Sequence, residues 1–144
     1  MAEGDGVWYN NALEQTLRGN IDLINDPLKL MLVTGHTLDV DTHEDYDDVS
    51  ADELGVSGYT AQGESLTGPT VTQDNTNDRA LFDANNVTFS SLGTASPNYA
   101  ILVDWASSPG LLLAAWELTT PSNGGDYVIA WSTSPSAVLS LTAA

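Results

Sequence analysis

The chain has 144 residues, no cysteine, and only three basic side chains, Arg18, Lys29 and Arg79. Without cysteine there is no disulfide, no thiolate nucleophile and no thiolate zinc ligand, and the redox compartment is left open. Three cations cannot make the basic patch that neutralises phosphates, so neither nucleic acid nor an anionic membrane is expected as a partner. Long apolar runs are missing too. The longest, Leu111 to Trp116, is strand-sized and far below the roughly 20 residues of a membrane-spanning helix. The segment Met1-Ala2-Glu3-Gly4-Asp5-Gly6 has neither a basic nor an apolar stretch, so no secretory signal is expected. There is no phosphate-binding glycine motif, no Gly-x-Ser-x-Gly elbow and no His-Glu-x-x-His, and the chain is not expected to be an enzyme.

What the chain does have is acid. Asp and Glu number 20 against Lys and Arg 3, a formal net charge of −17. Hydrophobic residues make up 42%, with four Trp, five Tyr and two Phe, which is enough apolar surface to offset chain entropy and excludes a disordered acidic tail. Surface scaling gives roughly 7,000 Å² for a folded chain of this mass, so the net charges lie on average about 20 Å apart, beyond the ~8 Å Debye length. Averaged repulsion is therefore tolerable. Local density is not: Asp39, Asp41, Glu44, Asp45, Asp47, Asp48, Asp52 and Glu53 fall within one short stretch. Acidic excess with scarce lysine points to a protein adapted to high salt.

The pattern reads as mainly β, an antiparallel β-sandwich or barrel with a short N-terminal helix and a long acidic loop. One β-rich domain covers 1–144, with an N-terminal arm over 1–9 and the acidic loop over 35–58. Asn10 or Asn11 caps the expected helix, Leu13 and Leu17 share the face that docks on the core, and Gly19 ends it. Strands are expected at Leu28 to Thr34, Tyr59 to Ala61, Ser65 to Thr72, Arg79 to Asp83, Val87 to Ser90, Asn98 to Trp105, Leu111 to Leu118, Asp126 to Ser132 and Ala137 to Leu141. Within the loop, Glu44 to Val49 suits about one helical turn with Tyr46 and Val49 facing inward.

Candidate chemistry gathers in that loop. His36 and His43 both lie there, and together with Asp39 or Asp41 they offer borderline ligands for zinc or another divalent ion. Asp39 and Asp41 also open like a calcium loop, but His43 stands at position five, Glu44 replaces the glycine at six, and Ser50 replaces the acid at twelve. Asp39, Asp41 and His43 thus remain weak candidates for a loosely held Ca²⁺, Mg²⁺ or K⁺. The competing reading is a solvated acidic face. No catalytic residue and no other cofactor is expected. Trp105, Trp116 and Trp131 lie in apolar strands and read as core, whereas Trp8 and Tyr9 read as core or interface. Asn86-Val87-Thr88 is a glycosylation sequon.

From Lys29 to Thr88 the residues resemble a family of virion structural proteins of tailed bacteriophages and related archaeal viruses. The matching features are Lys29-Leu30-Met31-Leu32-Val33-Thr34, Asp41-Thr42-His43, Tyr46-Asp47-Asp48-Val49, Glu53, Gly58-Tyr59-Thr60-Ala61-Gln62-Gly63, Leu66-Thr67-Gly68, Val71-Thr72 with Asp74, and Asp83-Ala84-Asn85-Asn86-Val87-Thr88-Phe89. Tyr99-Ala100-Ile101-Leu102-Val103 looks like the family's next strand, so the likeness runs from about Asn10 to Trp131; Asn98 stands where the family usually has Arg. The resemblance implies a non-catalytic capsid decoration or turret protein of a halophilic tailed virus. Such a protein is made in the host cytoplasm, binds the major capsid protein and self-associates, with a trimer or other closed ring natural on an icosahedral shell. It also implies a structural role for Asp41-Thr42-His43 and a buried anchor at Tyr59. A tail or baseplate component and, from another class, a glycan-binding module are the alternatives.

The acidic excess makes a direct prediction. Thermal unfolding in low and molar KCl should show a midpoint that rises with salt; a midpoint indifferent to salt would contradict the halophilic reading.

Overall fold

The computed structural model describes residues 6–133, 136–137 and 139–142. Its centre is a five-stranded antiparallel sheet in the order β1-β8-β7-β2-β3, formed by β1 (Val7–Trp8), β2 (Leu28–Val33), β3 (Glu64–Ser65), β7 (Tyr99–Asp104) and β8 (Leu111–Glu117). The three middle strands read Leu-Lys-Leu-Met-Leu-Val, Tyr-Ala-Ile-Leu-Val-Asp and Leu-Leu-Leu-Ala-Ala-Trp-Glu, nearly continuous apolar runs. Such runs suit strands covered on both faces. Accordingly Leu30 to Val33, Ala100 to Asp104 and Leu112 to Trp116 are all buried. β2 pairs with β7 from Leu28 opposite Asp104 to Val33 opposite Tyr99, and the β7–β8 ladder shifts register between Leu102 and Val103.

A second sheet orders β12 (Leu139–Thr142), β5 (Arg79–Asp83) and β4 (Thr70–Asp74). Two-stranded pairs join β6 (Val87–Phe89) to β9 (Tyr127–Ile129) and β10 (Ser132–Thr133) to β11 (Ser136–Ala137). The fold is thus mainly β with one short helix, α1 (Asn10–Leu17), packed against β8. No sheet closes on itself, so the barrel alternative is corrected: the central sheet stops at the two-residue strands β1 and β3 among the described residues.

Several local expectations change. Val7 and Trp8 pair with Ala115 and Ala114, so the end of the expected 1–9 arm is an edge strand, while residues 1–5 lie outside the described residues. The helix spans the expected residues, but its N-cap is Tyr9, with no side-chain cap bond. Leu17 is 89% exposed, and the helix buries Ala12 instead. Tyr9, Ala12 and Thr16 recur at helical spacing, which turns the inward face away from Leu17. The Ser65 to Thr72 window breaks at Gly68, whose φ of 64° suits glycine, into β3 and β4. Tyr59 to Ala61 forms no strand.

At the end of β7 the Asp104 side chain is buried beside the Asp26 carboxylate. Its Oδ1 accepts the Ala106 N–H at 2.9 Å, and its Oδ2 has no hydrogen-bond partner. Burial first, and then the neighbouring carboxyl, push its pKa up to about 6. The unfolded chain titrates near ~3.9. A raised pKa therefore contributes stability that is complete below about pH 4 and is lost as pH rises through about 6. Asp104→Asn, neutral at every pH, should melt higher than the parent at pH 7.5, with the gap closing by pH 4.5. A gap independent of pH would show that Asp104 is not the titrating group.

Candidate functional site

The acidic segment is an ordered loop held by backbone hydrogen bonds at both ends. Thr34 N–H donates to Asp52 O and Leu54 N–H to Leu32 O, tying the loop to β2. Tyr46 N–H donates to Gly110 O and Leu112 N–H to Glu44 O, tying it to β8, while Asn10 N–H donates to Val40 O. Two 3₁₀ turns, Tyr46–Asp48 and Ser50–Asp52, stand where about one helical turn was expected. Val49 points inward and the Tyr46 ring lies 5.0 Å from that of Trp105.

Most of the acids have local work. Asp39 Oδ1 accepts the N–H groups of Asp41 and Thr42, and its Oδ2 accepts the Thr42 hydroxyl at 2.7 Å. Asp41 accepts from the Asn10 amide at 2.7 Å. Asp45 accepts Asp47 N–H, and Asp48 accepts the N–H groups of Glu44 and Asp45, a capping box built from carboxylates. The Thr42 hydroxyl holds the Asp39 carboxyl below its ordinary pKa, and the Glu44 N–H does the same for Asp48. These bonds make the Asp-Thr-His segment a turn in which both Asp39 oxygens and Asp41 Oδ1 accept hydrogen bonds. Among the described residues no group of three or more His, Asp and Glu is arranged to hold a metal ion.

Glu53 gathers the loop around one carboxylate. It accepts the hydroxyls of Tyr46 and Tyr59, the latter at 2.8 Å, and the Gln62 N–H. The Tyr59 oxygen in turn accepts Leu32 N–H at 3.1 Å, and its ring stacks on Phe89 at 5.9 Å. Desolvation first, then the Glu53 carboxylate, push the Tyr46 phenol up to about 12, and burial raises Tyr59 further. The chain turns into this cluster at Gly63, with φ of 81°, where a Cβ would overlap the Leu30 carbonyl oxygen. Sequence reasoning named Tyr59 as an anchor but missed Glu53 as its acceptor, because Glu53 is one of four acids between Tyr46 and Tyr59 and nothing local singles it out.

The two histidines do meet, and the carboxylate hydrogen-bonded to the pair is that of Asp52 rather than of Asp39 or Asp41. His36 follows β2, is 5% exposed, and exchanges backbone bonds with the Asn98 amide. Its Nδ1 lies 2.7 Å from Asp52 Oδ2. Its ring centroid is 5.6 Å from that of His43 and 6.0 Å from that of Tyr99. His36 Nε2 and His43 Nδ1 are both buried with no hydrogen-bond partner.

The expected interface pair separates. Tyr9 is 0% exposed and belongs to the core, a correction: it stands at the N-cap of α1, where its N–H donates to Leu113 O of β8 at 3.0 Å. Trp8 is half-buried and lines an apolar groove with Leu23, Val71, Leu81, Phe82 and Leu141. Val7, Leu17, Ile24, Val71 and Leu141 are the exposed aliphatics on or next in sequence to this lining. Trp116 and Trp131 are core as expected, whereas Trp105 is half-buried. Trp8, Tyr46, Tyr59, Tyr99 and Trp105 are half-buried and the remaining Trp, Tyr and Phe are buried. Asn86 is exposed, and its Oδ1 accepts Trp131 N–H at 3.4 Å.

Comparison with family models, curated proteins and solved structures finds no match to this chain. Among the described residues no helix is long and apolar enough to cross a membrane.

Glu53 makes the sharpest prediction of this region. Glu53→Gln replaces a charged acceptor of three donors with a neutral amide that offers one acceptor oxygen in place of two. Urea unfolding should report a loss of about 3 kcal/mol. A loss below about 0.5 kcal/mol would mean that the loop is held mainly by its backbone bonds.

Proposed function

We propose that the chain is a virion structural protein, a capsid decoration or turret component of a halophilic tailed virus, which binds the major capsid protein and self-associates as a trimer. It works at the capsid surface, after synthesis in the host cytoplasm, by adhesion and without catalysis. The sheets stack as a β-sandwich, a reading supported by central strands that are buried on both faces. The virion assignment rests on the family resemblance. Its support is that several of the residues carrying that resemblance are ones the fold depends on: Asp41, Tyr46, Asp48, Glu53, Tyr59 and Gly63.

The observation that carries adhesion is the apolar groove beside Trp8, with exposed Val71 and Leu141 in its lining. On a chain of net charge −17, exposed aliphatics gathered around one groove suit a protein partner. The acidic loop, which is not part of that groove, remains available to face brine.

Co-sedimentation with empty capsids in molar KCl tests this, with sedimentation velocity for the oligomer. The parent should bind and form a trimer; Val71→Asp and Leu141→Asp, both at exposed positions of the groove, should weaken binding at least tenfold without changing the melting midpoint. A chain that stays monomeric at all concentrations and ignores capsids would refute the proposal, and antibody labelling of tails rather than heads would move it to the tail or baseplate.

A further inference from the structure

We propose that His36 and His43 together hold a divalent transition-metal ion of the class that favours imidazole nitrogen, Zn²⁺, Ni²⁺, Co²⁺ or Cu²⁺. The two donor atoms are His36 Nε2 and His43 Nδ1, both buried and both without a hydrogen-bond partner. A buried acceptor left unpaired is costly and calls for a water or an ion. The Asp52 carboxylate 2.7 Å from His36 Nδ1 takes that nitrogen's proton as a hydrogen bond and leaves the lone pair on Nε2. This is the outer-shell carboxylate that commonly orients a metal-bound histidine. The rings also have suitable spacing. Two imidazoles bound to one ion at ~2.0–2.1 Å, at a roughly tetrahedral angle, place their centroids about 5 Å apart. Here they are 5.6 Å apart with planes inclined by 38°.

Charge around the pair favours a dication, since the Asp39 and Asp48 carboxylates both interact with His43. Nitrogen donors distinguish this site from one for Ca²⁺ or Mg²⁺, which take oxygen. Half-buried His43 provides the way in, and water fills the remaining coordination positions. An ion there links the residue group just after β2 to the turn at Asp39–His43, clamping the acidic loop across its N-terminal half.

The test is titration of the full chain with Zn²⁺ in molar KCl containing excess Mg²⁺, followed by calorimetry and by long-range ¹H–¹⁵N spectra of the histidine rings. One ion per chain, a raised melting midpoint, and shifts confined to His36 Nε2 and His43 Nδ1 are expected. His43→Asn should weaken binding at least tenfold. The ring spectra use the unaltered protein, so a poorly folding variant cannot obscure the outcome. Absence of Zn²⁺ binding, binding abolished by Mg²⁺, or binding with both ring spectra unchanged would each overturn the site.

Discussion

The acidic loop and the segment that follows it converge on a single carboxylate. Glu53 receives two phenolic hydroxyls and one backbone N–H, and through the Tyr59 oxygen it reaches the backbone of Leu32 in the middle of β2. A loop of this length has a large ordering entropy, and its few apolar anchors offset only part of it. Charge-assisted hydrogen bonds supply a directional constraint that apolar contacts cannot. The Glu53 cluster fixes where Tyr46 and Tyr59 stand, and Tyr46 in turn packs on Trp105 beyond the end of β7.

The same economy explains how a chain nearly devoid of cations tolerates so many anions. Only two basic side chains form ion pairs among the described residues, Arg18 with Glu14 and Arg79 with Asp74. Elsewhere carboxylates are matched with hydrogen-bond donors that carry no formal charge. Asp39, Asp45 and Asp48 accept backbone N–H groups, Asp22 and Asp74 do the same in their own turns, and Asp126 accepts Ser91 N–H. Local N–H dipoles thus replace lysine and arginine as partners for acid, an arrangement that survives in salt because each bond is short.

Legibility in the sequence followed the physics of each element. The strands β2, β7 and β8 were readable to within about a residue because continuous burial leaves a continuous apolar run. The helix was readable in place but not in orientation, because Leu17 suggested a face that the Tyr9–Ala12–Thr16 spacing overrides. Tyr59 to Ala61 looked like strand because tyrosine and threonine favour strands, whereas a side-chain bond to Glu53 and the Gly63 turn decide its path. The histidines were visible as a cluster in sequence. Their burial was not, since it comes from Tyr99 on a strand more than sixty residues away and leaves no local periodicity.

The unequal edges of the two sheets have a further consequence in brine. At ~1 M salt the Debye length shrinks to about 3 Å, so net charge no longer holds copies of the molecule apart, and salting-out favours contact. Geometry must then govern which contacts form. The central sheet ends in two-residue strands on both sides, offering almost no ladder to an intruding chain, while the outer sheet ends on the five-residue β4 that carries Val71. Protection against indiscriminate stacking is therefore built into one sheet and relaxed in the other, which gives the molecule a polarity of adhesiveness independent of charge.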